Sequence, residues 1–473
     1  MDGLECSEVL YSSAKENKDC RIDSQFFTAK IKHNGNLEYC PIGKYLISSQ
    51  YGVSKDMNTE GYGYPIFRMN EIHHSLCDLT TEKFVELSNE EFYAVKLNDR
   101  DVLFNRTNSF EKVGRTGVYY SCGIPQTFAS YLVRLIPDNI HIYSEYLAAF
   151  LNTQYGIQEI RRRARQSINQ TNVNPEEVKA IKIPLLKREF QENARRCYEK
   201  AHQLRKDASK KYDEAEAFFA RKMDMDYFKL KDDSNAIKLL SASFKTFGRL
   251  DAEYYQPKYD ALFETLSRFK CAKLGGANGL VNITKSIEPG SEAYVEEGIP
   301  FVRVSDVSRF EISEPEIKLR SDILPNPEVL FPQKDTILLS KDGSVGIAYK
   351  VETPMSVITS GALLHLKIRD KSDILPDYLT LVLNSPIVQL QAERDSNGAI
   401  IQHWKPSEIE NVIIPILEMD LQKEIAAKVQ ESFALRQQSK QLLEYAKQMV
   451  EMAIEHGEDA AMQWLKDKVN LSV

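Results

Sequence analysis

The strongest constraint on the fold of this chain is that short segments of its first half recur, in the same order, in its second half. RIDSQFF from Arg21 returns as RLDAEYY from Arg249, 228 residues later. Further matches follow in the same order at offsets of 231 to 235 residues: GYPIFRMNEI with GIPFVRVSDV, DVLFNRTNSFEKVG with DTILLSKDGSVG (Asp101 with Asp335), SEYLAAFLNT with PDYLTLVLNS, IKIPLL with VIIPIL, and Gln191 with Gln422. One short match is expected by chance, but an ordered series is not, so the sequence indicates a tandem duplication.

Each copy follows the same plan, in which a mixed α/β globule precedes one long helix. The alternating runs YPIFRM and FYAVKL predict strands in the first globule, as GIPFVRV, DTILLS and ALLHLKI do in the second. SEYLAAFLNTQYGIQEIRRRARQ predicts an amphipathic helix with Ser144 as its N-cap, and PDYLTLVLNSPIVQLQAER predicts its counterpart. The predicted fold class is therefore α/β (α+β), with two tandem domains that are each followed by a long helix.

The domain boundaries follow from this plan, and a chain of 473 residues is long enough for several domains. The predicted parts are a first domain at 1–185, a central helix at 186–224, a second domain at 225–416, a C-terminal helix at 417–457 and a tail at 458–473.

Both long helices carry a narrow apolar seam. In the central helix the seam has alternating spacings of four and three, with Lys211 in its one polar position: Phe190, Ala194, Cys197, Ala201, Leu204, Ala208, Ala215 and Phe218. The C-terminal stripe has a polar middle at Ser432, Arg436 and Ser439, and its apolar members are Ile425, Val429, Leu443, Ala446, Val450 and Ala453. We expect the two helices to pair with each other; the alternative is that each packs on its own globule.

Charge and cysteine content limit the kinds of function. A net charge of −7 and a pI of about 5.8 argue against a generally basic surface, so any nucleic-acid site must be a local patch. The seven cysteines are scattered and never spaced as CxxC, which is typical of reduced thiols and not of disulfide frameworks or zinc sites. The N-terminus lacks a signal-peptide pattern and no apolar run could span a bilayer, so we expect a soluble, cytoplasmic protein.

The motifs of a self-sufficient enzyme do not occur in this sequence. There is no GxxxxGK[ST] phosphate loop, no [DNS]PP[YF] tetrapeptide and no glycine motif that links a strand to a helix as in methyltransferases. The histidines form no HExxH pair for a metal. We therefore expect no catalytic residue, no metal and no cofactor on this chain.

The polar stretch 101–120, DVLFNRTNSFEKVGRTGVYY, is the first candidate for contact with DNA. Asn105, Arg106 and Asn108 have side chains that suit base edges, whereas Lys112 and Arg115 suit phosphates. The alternative is a strand–turn–strand in which the polar side chains satisfy turn amides. The second copy keeps the strand and the glycines of the turn, so the turn is interpreted as architectural and only its decoration as a reader.

Polar segments after the equivalent helices of the two copies are the other candidates. Four arginines in RRRAR repel one another and suggest a polyanion, although the helix dipole also favours cations at a helix C-terminus: Arg161, Arg162, Arg163 and Arg165. The second copy has ERDSNGAIIQHWK at this place, and its candidates are Asn397, His403 and Lys405, with Ser340 and Lys341 from DTILLSKDG. Ordinary surface loops are the alternative.

Taken together, the repeated segments resemble the specificity subunit of type I restriction-modification systems. The resemblance rests on GIPFVRVSDV, DVLFNRTNSFEKVGRTG, PDYLTLVLNS, NGAIIQHW and the IIPI…Q segment, and it covers almost the whole chain. It implies that each globule is a target recognition domain that reads one half of a bipartite site in double-stranded DNA. It also implies that the two long helices pair as an antiparallel coiled coil, which relates the copies by a pseudo-twofold axis.

The same resemblance implies that catalysis belongs to partner subunits. The chain would dock two methyltransferase subunits, with or without two restriction subunits, and these would carry S-adenosylmethionine, ATP and Mg²⁺. Two alternatives remain open: the specificity component of a related type II-like or phage-defence methyltransferase complex, and a coiled-coil scaffold that does not bind DNA.

Overall fold

The computed structural model describes residues 8–15, 21–29, 34–167, 170–225, 237–241, 249–396, 398 and 402–469. They belong to two compact units. Unit 1 comprises Met1–Lys206 and Leu435–Val473, and unit 2 comprises Asp207–Ala434. Within the described ranges, the helices are too short or too polar to cross a lipid bilayer.

Unit 1 is built from short strands and mostly short helices. Its strands are β1 Tyr39–Pro41, β2 Leu46–Tyr51, β3 Tyr64–Phe67, β4 Ile72–His73, β5 Leu76–Cys77, β6 Phe84–Val85, β7 Val102–Asn105, β8 Thr107–Asn108, β9 Thr116–Val118, β10 Thr127–Phe128, β11 Leu132–Pro137, β12 Arg165–Gln166, β13 Thr171–Asn172 and β14 Lys182–Pro184. Its helices are α1 Tyr11–Lys15, α2 Ser24–Thr28, α3 Asn89–Val95, α4 Ser144–Leu151, α5 Gln154–Arg163, α6 Pro175–Lys179 and the first part of α7 Arg188–Lys222.

Unit 2 contains the remaining strands and most of the remaining helices. Its strands are β15 Cys271–Lys273, β16 Val281–Lys285, β17 Tyr294–Val295, β18 Ile299–Val302, β19 Ile317–Leu319, β20 Ile337–Ser340, β21 Ala348–Lys350, β22 Ile358–Thr359, β23 Leu363–Ile368 and β24 Ile413–Pro415. Its helices are α8 Pro257–Leu266, α9 Pro376–Asn384, α10 Pro386–Asp395, α11 Pro406–Ile409 and the first part of α12 Met419–His456. Helix α13, Glu458–Lys468, belongs to unit 1 and occupies most of the predicted tail.

The two units use the same strand orders. The order β2-β11-β7-β9 within the main sheet of unit 1 recurs as β16-β23-β20-β21 in unit 2, and β10-β3-β6 recurs as β22-β18-β19. In both units the first pair of this second sheet, β10 with β3 and β22 with β18, is parallel. The central strands β11 and β23 are buried over most of their length, and their polar residues Arg134 and His365 are buried with the apolar ones.

Side-chain hydrogen bonds recur with the strands. The hydroxyl of Tyr146 donates to the carbonyl of Pro184 (2.6 Å), and the hydroxyl of Tyr378 donates to the carbonyl of Pro415 (2.9 Å). The side-chain amide of Asn384 donates to the carbonyls of Ala348 and Thr380, as that of Asn152 does to the carbonyls of Thr116 and Ala148. The matching segments of the sequence therefore form matching contacts.

One pair in the sequence alignment is displaced by a residue. The N–H of Arg100 donates to Tyr119 just before β7, and the N–H of Asp335 makes the same bond to Val351 just before β20. Arg100 and Asp335 also share a left-handed backbone, with φ of 67° and 64°. Asp335 thus corresponds to Arg100, and the predicted match of Asp335 with Asp101 was wrong.

Two local predictions were also wrong. The run FYAVKL was expected to be a strand, but most of it lies in helix α3, because Ser88 and Glu91 form a capping box that starts the helix. The segment from Ser144 was expected to be one helix, but it is divided into α4 and α5, and the side chain of Thr153 accepts from the N–H of Gly156 to cap α5. In unit 2, Pro386 begins α10 after the same kind of break.

The long helices contact each other inside each unit. In unit 1 the hydroxyl of Ser439 donates to the carbonyl of Ala201 (2.7 Å), and in unit 2 that of Ser432 donates to the carbonyl of Ala208 (2.6 Å). In unit 2, Lys211 also pairs with Glu431 (3.0 Å), and Lys428 pairs with Glu214 (3.7 Å). Residue numbers rise on α7 as they fall on α12, so the two segments in unit 2 run antiparallel. The buried serines explain the polar middle of the C-terminal stripe.

The seam of α7 agrees with the sequence up to Ala208 and then changes register. The residues predicted from Phe190 to Ala208 are buried, as are Ala215 and the predicted apolar residues of α12. Beyond Ala208, however, Tyr212 and Phe219 are buried, while Lys211 and Phe218 are only half-buried. Two successive steps of four residues therefore replace the regular alternation, which moves the buried stripe by one residue. Phe218, which was predicted as a seam residue, is half-buried and packs at the border of the core that contains Tyr212 and Phe219.

A buried histidine makes the stability of the chain depend on pH. His365 of β23 is 6% exposed, and its Nε2 lies 2.8 Å from the hydroxyl of Thr359. Burial lowers the pKa of His365 to about 4, so the folded chain keeps this imidazole neutral while the unfolded chain protonates it near its ordinary value. The contribution of His365 to the free energy of unfolding is therefore fully present above the pKa of the unfolded chain and is lost as pH falls toward 4. We expect the free energy of unfolding to fall by about 2 kcal/mol between pH 7 and pH 5 because of this residue.

This loss can be measured by urea unfolding of the full chain at pH 7 and pH 5. The control is His365→Gln, which keeps a polar side chain but does not titrate. The pKa of His202 is also lowered to about 4 by burial, but His202 contributes equally to both proteins. The same pH-dependent loss in the wild type and the variant would show that His365 does not contribute.

Candidate nucleic-acid interface

Two candidate stretches of unit 1 lie in one small antiparallel sheet. Strand β13 pairs on one side with β8, where Asn172 is opposite Thr107, and on the other side with β12, where Asn172 is opposite Arg165. The hydroxyl of Thr107 also donates to Oδ1 of Asn172 (2.6 Å). The turn at 107–116 and the arginine-rich segment that ends α5 and continues into β12 were predicted as separate candidates, and they are joined by this sheet.

Unit 2 joins its two candidate segments in the same way. The N–H of Trp404 donates to the carbonyl of Lys341 (2.8 Å), as that of Val173 does to Arg106 (2.9 Å) in unit 1. Asp342 and His403 form an antiparallel bridge, and Oδ1 of Asp342 lies 2.9 Å from Nδ1 of His403. Candidates Lys341 and His403 are thus close neighbours. The backbone hydrogen bonds around them match those around Arg106 in unit 1.

Arg106 lies against two tyrosines at the ends of adjacent strands. Its guanidinium carbon is 5.0 Å from the ring centre of Tyr51, its N–H donates to the carbonyl of Tyr131 (3.0 Å), and its Nη1 donates weakly to the carbonyl of Ser130 (3.4 Å). Tyr51 is 49% exposed and Tyr131 is 41% exposed, while Arg106 is half-buried. These residues are named the strand-end cluster. Its tyrosines carried no sequence signal of their own.

The equivalent positions in unit 2 have different side chains. Tyr51 is opposite Val133 in unit 1, and Lys285 is opposite Leu364 in unit 2, on corresponding strands. The N–H of Lys341 donates to the carbonyl of Ala362, as that of Arg106 does to Tyr131. The counterpart cluster is therefore Lys285, Lys341 and Ala362.

Both lysines of the counterpart cluster have carboxylate partners. The ammonium group of Lys341 contacts Oδ2 of Asp342, and that of Lys285 lies 2.8 Å from Glu288. Desolvation raises the pKa of Asp342, but hydrogen bonds with Lys341 and His403 outweigh it and hold this pKa below its usual value.

Asn105 and Ser340 lie inside their units, so the prediction that they contact DNA does not agree with their burial. Both are 0% exposed. The carbonyls of Asn105 and Ser340 accept from Gly114 (2.8 Å) and Gly346 (2.9 Å), whose φ of 88° and 86° favour glycine. The hydroxyl of Ser340 accepts from the N–H of Ile347 (2.8 Å), whereas the amide of Asn105 has no hydrogen-bond partner among the described residues.

Arg163 is also a structural residue and not a surface residue. Its side chain is 5% exposed, contacts the carboxylate of Glu159 and lies 3.6 Å from the carboxylate of Glu177. Burial lowers the pKa of Arg163 to about 10, so it stays charged at neutral pH. Arg162 lies 2.9 Å from Glu159 and is 21% exposed. The prediction that all four arginines face a polyanion does not agree with these contacts.

The remaining candidates are at or near the surface. Arg161 is exposed, with its guanidinium carbon 5.5 Å from the ring centre of Phe110, and Arg165 is exposed in β12. Lys112, Arg115 and Asn108 are half-buried, and Lys405 and His403 are exposed. The side chain of Asn108 accepts from the next residue's N–H (2.8 Å), as the turn alternative proposed. Asn397 lies outside the described residues.

The first repeated motif of the sequence closes the helices that lead into these segments. Nη1 of Arg21 donates to the carbonyl of Arg163 at the end of α5 (3.0 Å), and Nη1 of Arg249 donates to the carbonyls of Arg394 (3.2 Å) and Asp395 (3.0 Å) at the end of α10. A carboxylate two residues later holds each arginine, and the hydrogen bond to the arginine lowers the pKa of both carboxyls, Asp23 and Asp251.

Two curated relatives of this chain are specificity subunits. Over 137 residues the chain is 30% identical to a protein assigned as the MjaX type I restriction enzyme specificity subunit of Methanocaldococcus jannaschii. The aligned residues are 28% of this chain and 32% of that relative. Over 145 residues it is 25% identical to the StySPI type I specificity subunit of Salmonella potsdam, covering 30% and 31%. The chain thus matches about a third of the length of these curated relatives. The predicted resemblance is confirmed.

Solved structures are similar at a low level. An S subunit of a type I system from M. genitalium aligns over 92% of this chain and 98% of that chain, with 16% identity and a TM-score of 0.35. The HsdS subunit of Thermoanaerobacter tengcongensis aligns over 90% and 98%, with 13% identity and a TM-score of 0.30. No protein-family model matches the chain.

Proposed function

We propose that this chain is a non-catalytic specificity subunit of a type I restriction-modification complex, in which two recognition domains read the halves of a bipartite site in double-stranded DNA. The observation that carries the proposal is the sequence similarity to two type I specificity subunits. The recurrence of one backbone frame with different polar side chains supports it, because one frame with different side chains suits two readers of different bases.

In the proposed function, sequence is read on the joined candidate segments of each unit. Arg161 and Arg165 in unit 1 and Lys405 in unit 2 are exposed cations that suit phosphates, whereas the strand-end cluster and its counterpart suit base edges. The net charge of −7 means that DNA must bind to such local patches and not to the general surface.

The long helices would serve assembly. We propose that α7 and α12 pair along their length as an antiparallel coiled coil, which is supported by the serine–carbonyl bonds of Ser439 and Ser432 and by the pairs of Lys211 and Lys428. Two methyltransferase subunits would dock to the chain and bind S-adenosylmethionine, and restriction subunits, where present, would use ATP and Mg²⁺. This chain would bind none of these cofactors.

Exchange of the first recognition domain tests the proposal. Residues 1–185 are replaced by the corresponding domain of a specificity subunit with another motif, which leaves α7 intact from Arg188. Expressed with its methyltransferase, the hybrid should methylate a two-part motif in which one half is new and the other is unchanged. Sequencing of methylated bases in the host genome gives both halves at once.

Three outcomes contradict different parts of the proposal. A change in both halves would exclude independent reading by the two domains. Co-purification with an unrelated catalytic chain would indicate a related methyltransferase complex instead. If neither the chain alone nor the assembled complex binds DNA even at low salt, the chain is a scaffold and not a reader.

A further inference from the structure

The strand-end cluster places an arginine where the strand pairing directs three side chains to one face. Tyr51 is opposite Val133, and Val133 is opposite Phe104, so these residues share a face of the main sheet. Arg106 lies two positions after Phe104 and Tyr131 two positions before Val133, so both return to that face. The cluster therefore continues the sheet beyond its buried part, and its tyrosines are exposed.

The contact with Tyr51 restricts the orientation of the guanidinium. A cation above an aromatic ring is attracted by about 0.5–1 kcal/mol at an exposed site. Nε of Arg106 is buried and the bond of Nη1 to Ser130 is long (3.4 Å), so the terminal nitrogens Nη1 and Nη2 are the pair that can donate in parallel to the guanine acceptors O6 and N7. A lysine at this place offers a point charge instead.

The counterpart cluster of unit 2 supports the view that this position is variable. Lys341 has the same backbone bond as Arg106, but an aspartate, Asp342, contacts its ammonium group, and Lys285 and Ala362 stand where unit 1 has tyrosines. The backbone bonds of the two clusters are conserved between the units while all three side chains differ. The same backbone can therefore present different side chains at this position in the two units.

We propose that Arg106 reads a guanine in one half of the bipartite site and that Tyr51 is the positioning residue that orients it. The inference rests on the proposed function and adds the base, the reading group and the residue that holds it. The backbone carbonyl of Tyr131 accepts from the N–H of Arg106, and Tyr131 is 41% exposed, so it borders the space that the base enters. Unit 2, with a lysine at this position, selects its half-site by other contacts.

Selection from a randomised duplex pool by the full-length chain, assembled with its methyltransferase, tests the inference. The wild type should enrich a two-part motif with a guanine in one half. Arg106→Lys, which keeps the charge, should lower the preference for that guanine about 5- to 150-fold and leave the other half unchanged. Tyr51→Leu should lower it about 2- to 5-fold, and the matched Tyr51→Phe, which keeps the ring, should preserve it.

The possible outcomes separate the inference from the proposed function. An unchanged motif with Arg106→Lys, or a uniform loss of affinity for all sequences as from a phosphate contact, would overturn the inference and leave the proposed function intact. An equal loss with Tyr51→Leu and Tyr51→Phe would remove the positioning role. If the wild type enriches no motif, both are wrong. Thermal unfolding of each variant establishes that it is folded. If Arg106→Lys does not fold, the comparison of Tyr51→Leu with Tyr51→Phe still tests the inference.

Discussion

Replacement of Arg163 by alanine is expected to destabilise the chain by about 3–5 kcal/mol, because it removes one partner of a buried ion pair. The Arg163 guanidinium contacts Glu159 and lies near Glu177, and these carboxylates belong to residues that are 2% and 6% exposed. Without Arg163 both buried carboxylates lose this partner, while Arg162 stays beside Glu159. Urea unfolding of the full chain and hydrogen exchange of the α5 amides measure the loss.

The matched control is Arg165→Ala, two residues later and exposed in β12. Its unfolding free energy should change by less than about 0.5 kcal/mol. In the proposed function its affinity for DNA should fall at all sequences, and the slope of affinity against salt should decrease by about 0.9 for one lost phosphate contact. If Arg163→Ala is instead as stable as the wild type and weakens DNA binding, Arg163 belongs to the DNA surface.

The contrast between these two arginines shows where sequence reasoning stops. RRRAR predicts a dense positive charge, but only the tertiary structure shows that Glu177, from a different element, lies beside Arg163. Likewise, Asn105 looks like a reader in sequence because it adjoins Arg106, yet it is the last buried residue of β7. Neighbours along a strand point to opposite faces, so one can be buried while the next is not.

Strand ends also bring together residues that are remote in sequence. Tyr51 ends β2 and Arg106 directly follows β7, and only the pairing of both strands with β11 makes them neighbours. The repeat itself could have pointed to Tyr51, since aligning the sequence of β2 with that of β16 makes Tyr51 and Lys285 equivalent positions. The short strand β16 was not recognised in the sequence, so that comparison could not be made.

The backbone was better predicted than the site because the repeated residues are the ones that hold it. The matching tyrosines Tyr146 and Tyr378 bind carbonyls of the IKIPLL and VIIPIL segments, so two matches in the sequence form one contact in each unit. The run FYAVKL was misjudged for a related reason, since its alternation predicts a strand whereas the capping residues before it start a helix.

Replacement of either Gln191 or Gln422 by methionine should destabilise the chain by about 2–4 kcal/mol, since each of these buried amides bonds to three backbone groups that are themselves buried or part-buried. Oε1 of Gln191 accepts from the N–H of Tyr143 (3.0 Å), and its Nε2 donates to the carbonyls of His141 (2.9 Å) and Leu186 (3.0 Å). Gln422 makes the corresponding bonds. Its Oε1 accepts from the N–H of Leu375 (3.0 Å), and its Nε2 donates to the backbone carbonyls of Asp373 (3.1 Å) and Leu417 (2.9 Å).

The pair of variants measures whether the two copies are energetically equivalent as well as similar in sequence. Methionine has nearly the same length as glutamine, so the substitution removes the hydrogen bonds with little change in packing. Since the two glutamines share no partner, the double variant should lose the sum of the single losses within about 0.5 kcal/mol, as measured by urea unfolding of the full chain. Gln438→Met, on the exposed side of α12, is the control and should change stability by less than about 0.5 kcal/mol. A large loss at one glutamine and none at the other would mean that the repeated bond stabilises only one unit.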